Sequence, residues 1–462
     1  MSSLFSSLTS ASQSLQAHSF GLDVTGQNIA NVNTPGFSRR TVDLVSVGPS
    51  AAGSAGGGVS VGGVRALRDR LLDIRLQQEV PSQQRQAQMA TSLSVVEASL
   101  GTPGSSIDKS LKNFFDSFAR LSETPTSPTA RQDVLLQADS LAGSFRSMAA
   151  RLVSARQDAD RQVRSSVEDA NTLADQIASL NRSIAASPSP ESTLQLRDEQ
   201  GQAVRKLAEI IDISTLDRQG GGVDISVGNG RPLVIGDSAY DVTVTNTAPS
   251  GMAALGISGT TVTAEITGGR LGGLLEVRDV TVPGYQDRLD TLAYEVANQV
   301  NTIHSAGYDQ SGAAAGNLFA YSSAPVGTTG AAAALMVDST VAADSRLLSA
   351  AAIANGGDNQ NARSIAALRE QKVLNGNTQS LSDLWGDLVY RVGRDTKTAT
   401  DEAASGAEVV SQVDALRDQV SGVSLDEEAA NLLKFQRAYE ANARFFSVID
   451  RTLDLLMTHL GQ

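Results

Sequence analysis

Cysteine is absent from the 462-residue chain, tryptophan occurs once and histidine three times. Without cysteine, neither a disulfide nor a thiolate metal site can form. The three histidines are His18, His304 and His459, and no H-E-x-x-H or other metal-ligand spacing surrounds them. No metal or cofactor is therefore expected. The absence of G-x-x-x-x-G-K-[ST] removes a P-loop. Aromatic residues make up only 4% of the chain, so its cores must rest on Leu, Val, Ile and Ala, which suits slender helical packing. No apolar run approaches the length that spans a bilayer, so no membrane insertion is expected. The first basic residue is Arg39, and the opening residues lack the positive region of a secretory signal. The expectation is a cytoplasmic chain or one exported without a cleaved signal. The balance of 50 acidic and 37 basic residues gives a net charge of −13. That argues against a nucleic-acid partner and against an anionic membrane surface.

What the chain does contain is a seven-residue repeat at each end. Leu8, Leu15, Leu22 and Ile29 recur near the N-terminus, flanked by Ala11, His18, Thr25 and Val32. Leu425, Leu432, Tyr439, Phe446, Leu453 and Leu460 recur near the C-terminus, flanked by Phe435, Asn442, Ile449 and Leu456. A narrow apolar seam on a long helix requires another helix against it, either inside the same fold or in an assembly. Ser3 is a plausible cap for the first helix, which Pro35-Gly36 ends with a turn. Gly21 and Gly26 inside it each cost about 1 kcal/mol relative to Ala, so this helix needs a partner. Ser424 with Glu427 forms a capping-box pattern before the last helix, and Gly461 is a stop signal.

Between the ends, Val42, Leu44, Val59, Val61 and Val64 read as short strands around a Gly53–Gly58 loop. Helical spacing runs through Met89–Leu100, Leu111–Phe118, Ala138–Ile184 and Leu194–Leu207, with breaks near Pro125, Pro128 and Ser187–Pro190. Val223–Val227, Gly228-Asn229-Gly230 and Leu233–Ile235 form a hairpin pattern. Tyr240–Val244 and Val262–Ile266 read as further strands. Helices resume at Leu289–Ile303, Leu381–Leu388 and Val409–Val420, around an Ala/Gly/Ser-rich irregular stretch at 305–360. The predicted class is α+β, mainly helical and elongated, with nested discontinuous domains. These are a terminal helical coiled-coil domain of 1–40 plus 422–462, a long-helix body of 41–210 plus 283–421, and an inserted β domain at 211–282.

Catalytic signals are weak. Gly58-Val59-Ser60-Val61-Gly62 matches the G-x-S-x-G nucleophile elbow, but the surrounding valines alternate as in one continuous strand. Asp198-Glu199 and Glu427-Glu428 are adjacent on helices and do not share a face, which predicts solvated carboxylates. Arg65, Arg68 and Arg70 predict a local salt-bridge face. No enzyme is expected.

The segment Asn28-Ile-Ala-Asn-Val-Asn-Thr-Pro-Gly-Phe-Ser-Arg39 resembles the N-terminal signature of bacterial flagellar axial proteins. The stretch from Ser424, SLDEEAANLLKFQRAYEANARFFSVIDRTLDLL, resembles their C-terminal signature. Gly58–Leu72, Leu194–Leu207 and Gly272–Asp279 resemble the hook-associated protein 1 family in particular. The resemblance covers both ends and most of the helical body, and is weakest at 211–270 and 305–360. It implies a structural protein of the hook-filament junction that assembles with itself into a ring or helical layer. The assembly interface would comprise Leu8, Leu15, Leu22, Ile29, Leu432, Phe435, Tyr439, Asn442, Phe446, Ile449, Leu453, Leu456 and Leu460. Asn28, Asn31, Asn33, Pro35 and Gly36 would form the terminal turn motif. The implied partners are hook protein, a second junction protein (hook-associated protein 3) and a cytoplasmic export chaperone on the C-terminal helix. The implied location is the extracellular flagellum, reached through the flagellar export apparatus. Alternatives are a hook or distal rod protein, a surface adhesin presenting the β insertion, or a hydrolase using Ser60.

Overall fold

The structure is a computed structural model that describes residues 2–48, 58–101, 107–189, 191–247, 251–354 and 357–460. Most of the expected Gly53–Gly58 loop, the side chains of Ser3, His459 and Leu460, and Gly461 lie outside the described residues.

Long helices dominate. Helix α1 (Ser2–Ala30) leads to a hairpin of β1 (Arg40–Ser46) and β2 (Val59–Ala66), then to α2 (Arg70–Leu100), α3 (Ile107–Glu123), α4 (Pro128–Ala186) and α5 (Leu194–Ile210). Helix α2 starts well before Met89, where the apolar periodicity begins. Asp69 caps it, accepting from the backbone N–H groups of Leu71 and Leu72 at 2.9 and 3.3 Å. The added turns are polar, and even Pro81 is accommodated inside them. They are held by one small cluster in which Leu76 and Val80 meet Val413. Ser127 caps α4, with Pro128 at a first-turn position where the missing N–H has no cost.

A four-stranded antiparallel sheet follows, of β3 (Ile213–Asp217), β4 (Val223–Val227), β5 (Arg231–Ile235) and β6 (Ser238–Ala239). The β4–β5 turn uses Gly228 and Gly230 at φ 51° and 83°, a left-handed region that side chains disfavour. A second sheet joins β7 (Val242–Asn246), β8 (Ala253–Ile257) and β9 (Thr260–Thr261). The strand expected over Val262–Ile266 is instead a 3-10 turn at Thr263–Glu265. The Thr263 hydroxyl accepts from the Leu255 N–H at 2.8 Å and so occupies a group that another strand would need.

Helix α6 (Gly269–Glu276) passes through a π-helical turn at Val277–Thr281 into α7 (Val282–Ser305). The 305–360 region holds β10 (Phe319–Tyr321), α8 (Ala331–Ala334), β11 (Leu335–Val337) and α9 (Ser339–Ala343). The chain ends in α10 (Gln360–Ala367), α11 (Leu381–Ser421) and α12 (Leu425–Leu460). A full capping box starts α11, with Ser380 and Asp383 each accepting from the other's backbone N–H.

Two hydrophobic cores organise the body. The first gathers Phe114, Phe115, Phe118, Leu141, Phe145 and Phe319 with the inner faces of α7 and the start of α11. The second packs Val163–Ala178 of α4 and Ala203–Ile210 of α5 under the strands, through Ile225, Leu233 and Leu255. The 211–282 stretch therefore shares its core with α4 and α5. Helix α4, 59 residues long, runs through both cores. Between them lies buried Arg278, which donates to Asp160 at 2.6 Å and pairs with Asp279 at 2.7 Å.

Candidate assembly interface at the paired chain ends

Helices α1 and α12 pack along each other, bringing the two chain ends together. The face α1 buries is a stripe of small residues: Ala11, Ser14, Ala17, Gly21, Val24, Thr25 and Asn28. Spacings of three and four place them on one side of the helix. Small side chains permit close approach. A Cβ added at Gly21 would stand 2.7 Å from the Phe435 ring of α12, which accounts for a helix-weakening glycine here. The His18 ring lies 6.3 Å from the same phenyl ring, and burial lowers the pKa of its imidazole. The β1–β2 hairpin leans on α1 too, where the Val59 N–H donates to Ser14 Oγ at 3.3 Å.

The leucine repeat occupies the edge of this contact. Leu8, Leu15, Leu22 and Ile29 are half-buried, as is Val32. On α12, Ile449 is buried, and Leu432, Phe435, Asn442, Phe446 and Leu453 are half-buried. Tyr439 and Leu456 are exposed at 40% and 37%, and Leu460 is among the side chains not described. The Asn442 side-chain amide donates to Ala438 O of its own helix at 2.9 Å, so it does not bridge to α1. Phe5, Phe20, Leu433, Phe445, Val448, Leu455 and Met457 are also exposed, which leaves the pair with apolar surface facing outward.

A polar clamp fixes the base of the pair. The Asn28 side chain accepts from the Arg40 N–H at 3.0 Å, and its amide donates to Arg40 O at 2.8 Å and to Glu428 Oε2 at 3.0 Å. Glu428, 2% exposed, also receives Arg39 at 2.8 Å. Arg39 reaches Glu427 at 2.5 Å, and its N–H donates to Ser421 O at 2.9 Å. The Ser424 hydroxyl caps the Glu427 N–H at 3.5 Å, while the Glu427 carboxylate turns to Arg39. In the turn, the Asn31 carbonyl accepts from the Thr34 N–H at 2.9 Å, and Asn33 and Pro35 are exposed. Gln202 of α5 donates to Pro35 O. Gly36, at φ 76°, leaves the space that this glutamine fills.

Two carboxylates expected in solvent are buried instead. Asp198, 7% exposed, takes Arg68 at 2.6 Å and Arg40 at 3.4 Å, and Glu428 takes Arg39 and Asn28. Their partners come from far along the chain, beyond the reach of helical spacing. Arg65, Arg68 and Arg70 each face a carboxylate: Asp43, Asp198 and Asp217. Ser60 is a mid-strand residue of β2 paired with Val45, away from any strand-to-helix turn. His304 is committed elsewhere, with Nδ1 at 2.7 Å from Gly316 O and Nε2 accepting from the Ser349 N–H at 2.9 Å.

Residues 93–319 match the model described as the flagellar hook-associated protein FlgK helical domain. Flagellar hook-associated protein 1 of Bacillus subtilis is 27% identical over 504 aligned positions, covering 100% of this chain and 99% of that protein. Over its full length the chain is similar to flagellar hook-associated protein 1. The protein of that name from Escherichia coli is 26% identical over 554 aligned positions, covering 99% of this chain and 100% of that one, so it carries insertions relative to this chain. Residues 8–37 match the flagella basal body rod protein model, and 417–458 the basal body rod FlgEFG protein C-terminal model. These two segments are the helices that pair here. The flagellar hook junction protein FlgK from Burkholderia pseudomallei shares the fold, with a TM-score of 0.67 over 75% of this chain and 100% of that one, at 16% identity. Among the described residues, no helix is long and apolar enough to cross a membrane.

Proposed function

We propose that this chain is a structural component of the hook-filament junction of the bacterial flagellum, and that it joins the axial structure through its paired terminal helices. The observation that carries this reading is the exposed apolar surface on helices whose base is clamped to the body. Leu8, Leu15, Leu22 and Ile29 on α1, with Leu432, Phe446, Leu453 and Leu456 on α12, stay at least partly open to solvent. Full burial of one such side chain is worth about 1.5–3 kcal/mol, so several together offset the cost of docking neighbouring copies. The match of the helical-domain model to the centre of the chain favours a junction protein over a hook or rod protein, whose models match only the ends.

On this reading the subunits form a ring or helical layer between hook protein and a second junction protein. The chain leaves the cell without a cleaved signal, and a cytoplasmic chaperone covers α12 before export. The terminal pair 1–40 with 422–462 is the assembling domain. The body of 41–210 with 283–421 carries the 211–282 insertion outward.

Electron microscopy of cells lacking this gene, with the medium assayed for flagellin, tests the reading. Complete hooks without filaments and shed flagellin are expected. Loss of the hook would move the protein down the axis, and normal flagella would end the proposal.

A further inference from the structure

The face of α12 opposite its α1 seam carries two straight columns of charge. Arg437, Arg444 and Arg451 recur every seventh residue, and Asp426, Glu440 and Asp454 every fourteenth, in a column whose intervening seventh positions are Leu433 and Ser447. The columns lie side by side, because Glu440 and Asp454 stand three residues after Arg437 and Arg451. All six side chains are exposed.

Two features set them apart from an ordinary solvated face. An α-helix turns every 3.6 residues, so only charges that keep the seam's own seven-residue period hold a fixed direction relative to it. The other feature is that these cations are unmatched. Among the described residues, arginines of the body pair widely with carboxylates, as in Arg205–Asp414 at 2.5 Å and Arg68–Asp198 at 2.6 Å. Among the described residues, salt bridges reach α12 only through Glu427 and Glu428 at its first turn. Neither Arg437 nor Arg451 forms an ion pair with its i+3 carboxylate, and Glu440 instead accepts from the Gln436 amide at 3.3 Å.

We infer that the occupant of this face is a second copy of the chain, with the arginine column of one α12 meeting the acidic column of the next. Complementary columns on one helix are what a repeating contact between identical copies requires, since each copy must offer both halves. The pairing sets which neighbours align and at what register, while the apolar seam supplies adhesion. This inference rests on the self-assembly proposed above.

The test uses full-length chains expressed in cells lacking the gene, scored by motility and filament number. One variant reverses the basic column (Arg437→Glu, Arg444→Glu, Arg451→Glu) and another the acidic column (Asp426→Lys, Glu440→Lys, Asp454→Lys). A third carries both sets. Each single reversal should cut filament number at least tenfold. The double reversal, and coexpression of the two single reversals, should restore most of it. Full function of both single reversals, or no rescue by either combination, would overturn the pairing. Circular dichroism of the purified chains and assay of the medium separate folding and export from assembly. An unfolded or retained single reversal would assign the columns to folding or export and equally overturn it. If the wild-type chain itself restores no filaments, the junction reading fails rather than the pairing.

Discussion

The body and the ends of this molecule bury their residues in different ways. In the body, Phe114 is fully buried among Phe115, Phe118 and Phe319, with ring centroids 5.2–5.5 Å apart. At the ends, the apolar residues that α1 buries are small, Ala11, Ala17 and Val24, α12 buries Ile449, and the other large ones sit at the rim or outside. The body satisfies itself within one chain. The terminal pair is joined by a polar clamp at one end and leaves apolar surface exposed to solvent. On the reading proposed above, the exposed apolar residues of the pair belong to an interface rather than to a poorly packed core.

The contrast can be broken most severely in the body. Phe114→Ala should destabilise the isolated protein by about 3–5 kcal/mol, read as a lower urea midpoint for the whole transition. The clamp comes next. Glu428→Ala strips Arg39 and Asn28 of a buried partner and should cost about 3 kcal/mol. The loss should show as faster hydrogen exchange in residues 1–40 and 425–440, with the body unchanged. If the body loosened equally, the division between clamp and body would be wrong.

Acid should strike the body through His304. Burial, aided by the nearby Arg131 guanidinium and opposed by the bond to Gly316 O, lowers its pKa from 6.5 to about 4. The unfolded chain binds a proton below about pH 6.5, whereas the folded chain resists until about pH 4. Stability from this group is therefore intact above pH 6.5 and falls by about 3 kcal/mol in total as the pH drops to 4. The urea midpoints measured at pH 7 and pH 4.5 should differ less in His304→Gln than in the wild type. The smallest effect on the monomer is expected from Leu15→Ala. It should cost under about 1 kcal/mol in melting experiments, since Leu15 is only half-buried, yet it should reduce filament number in cells. A large drop in monomer stability would return Leu15 to the core.

Much of the fold was legible because it is written in local periodicity. The long helices over 138–184 and 425–460 and the 223–235 hairpin follow from spacing and turn residues alone. The early turns of α2 were hidden because Gln77–Gln88 has little apolar pattern and Pro81 reads as a break. The 3-10 turn at Thr263–Glu265 depends on one hydroxyl reaching Leu255, which alternation cannot reveal. At the chain ends, the leucine repeat drew attention to the rim of α1. The small stripe from Ala11 to Asn28 becomes visible only once Phe435 is known to lie across Gly21. Buried Asp198 and Glu428 owe their places to arginines from distant parts of the sequence.

Helix α4 has a mechanical consequence. At 1.5 Å per residue its 59 residues make a rod of about 90 Å that belongs to both cores. A load on the distal sheets reaches the proximal bundle as bending of one hydrogen-bonded beam, with no slack loop to take up strain. None of residues 153–158 is buried, so the beam is least supported between Leu152 and Ala159. The buried Arg278 pairs with Asp160 close to that span and acts as its brace. Stiffness would therefore be set by a few residues around one fulcrum, and torque would pass through the molecule with little lag.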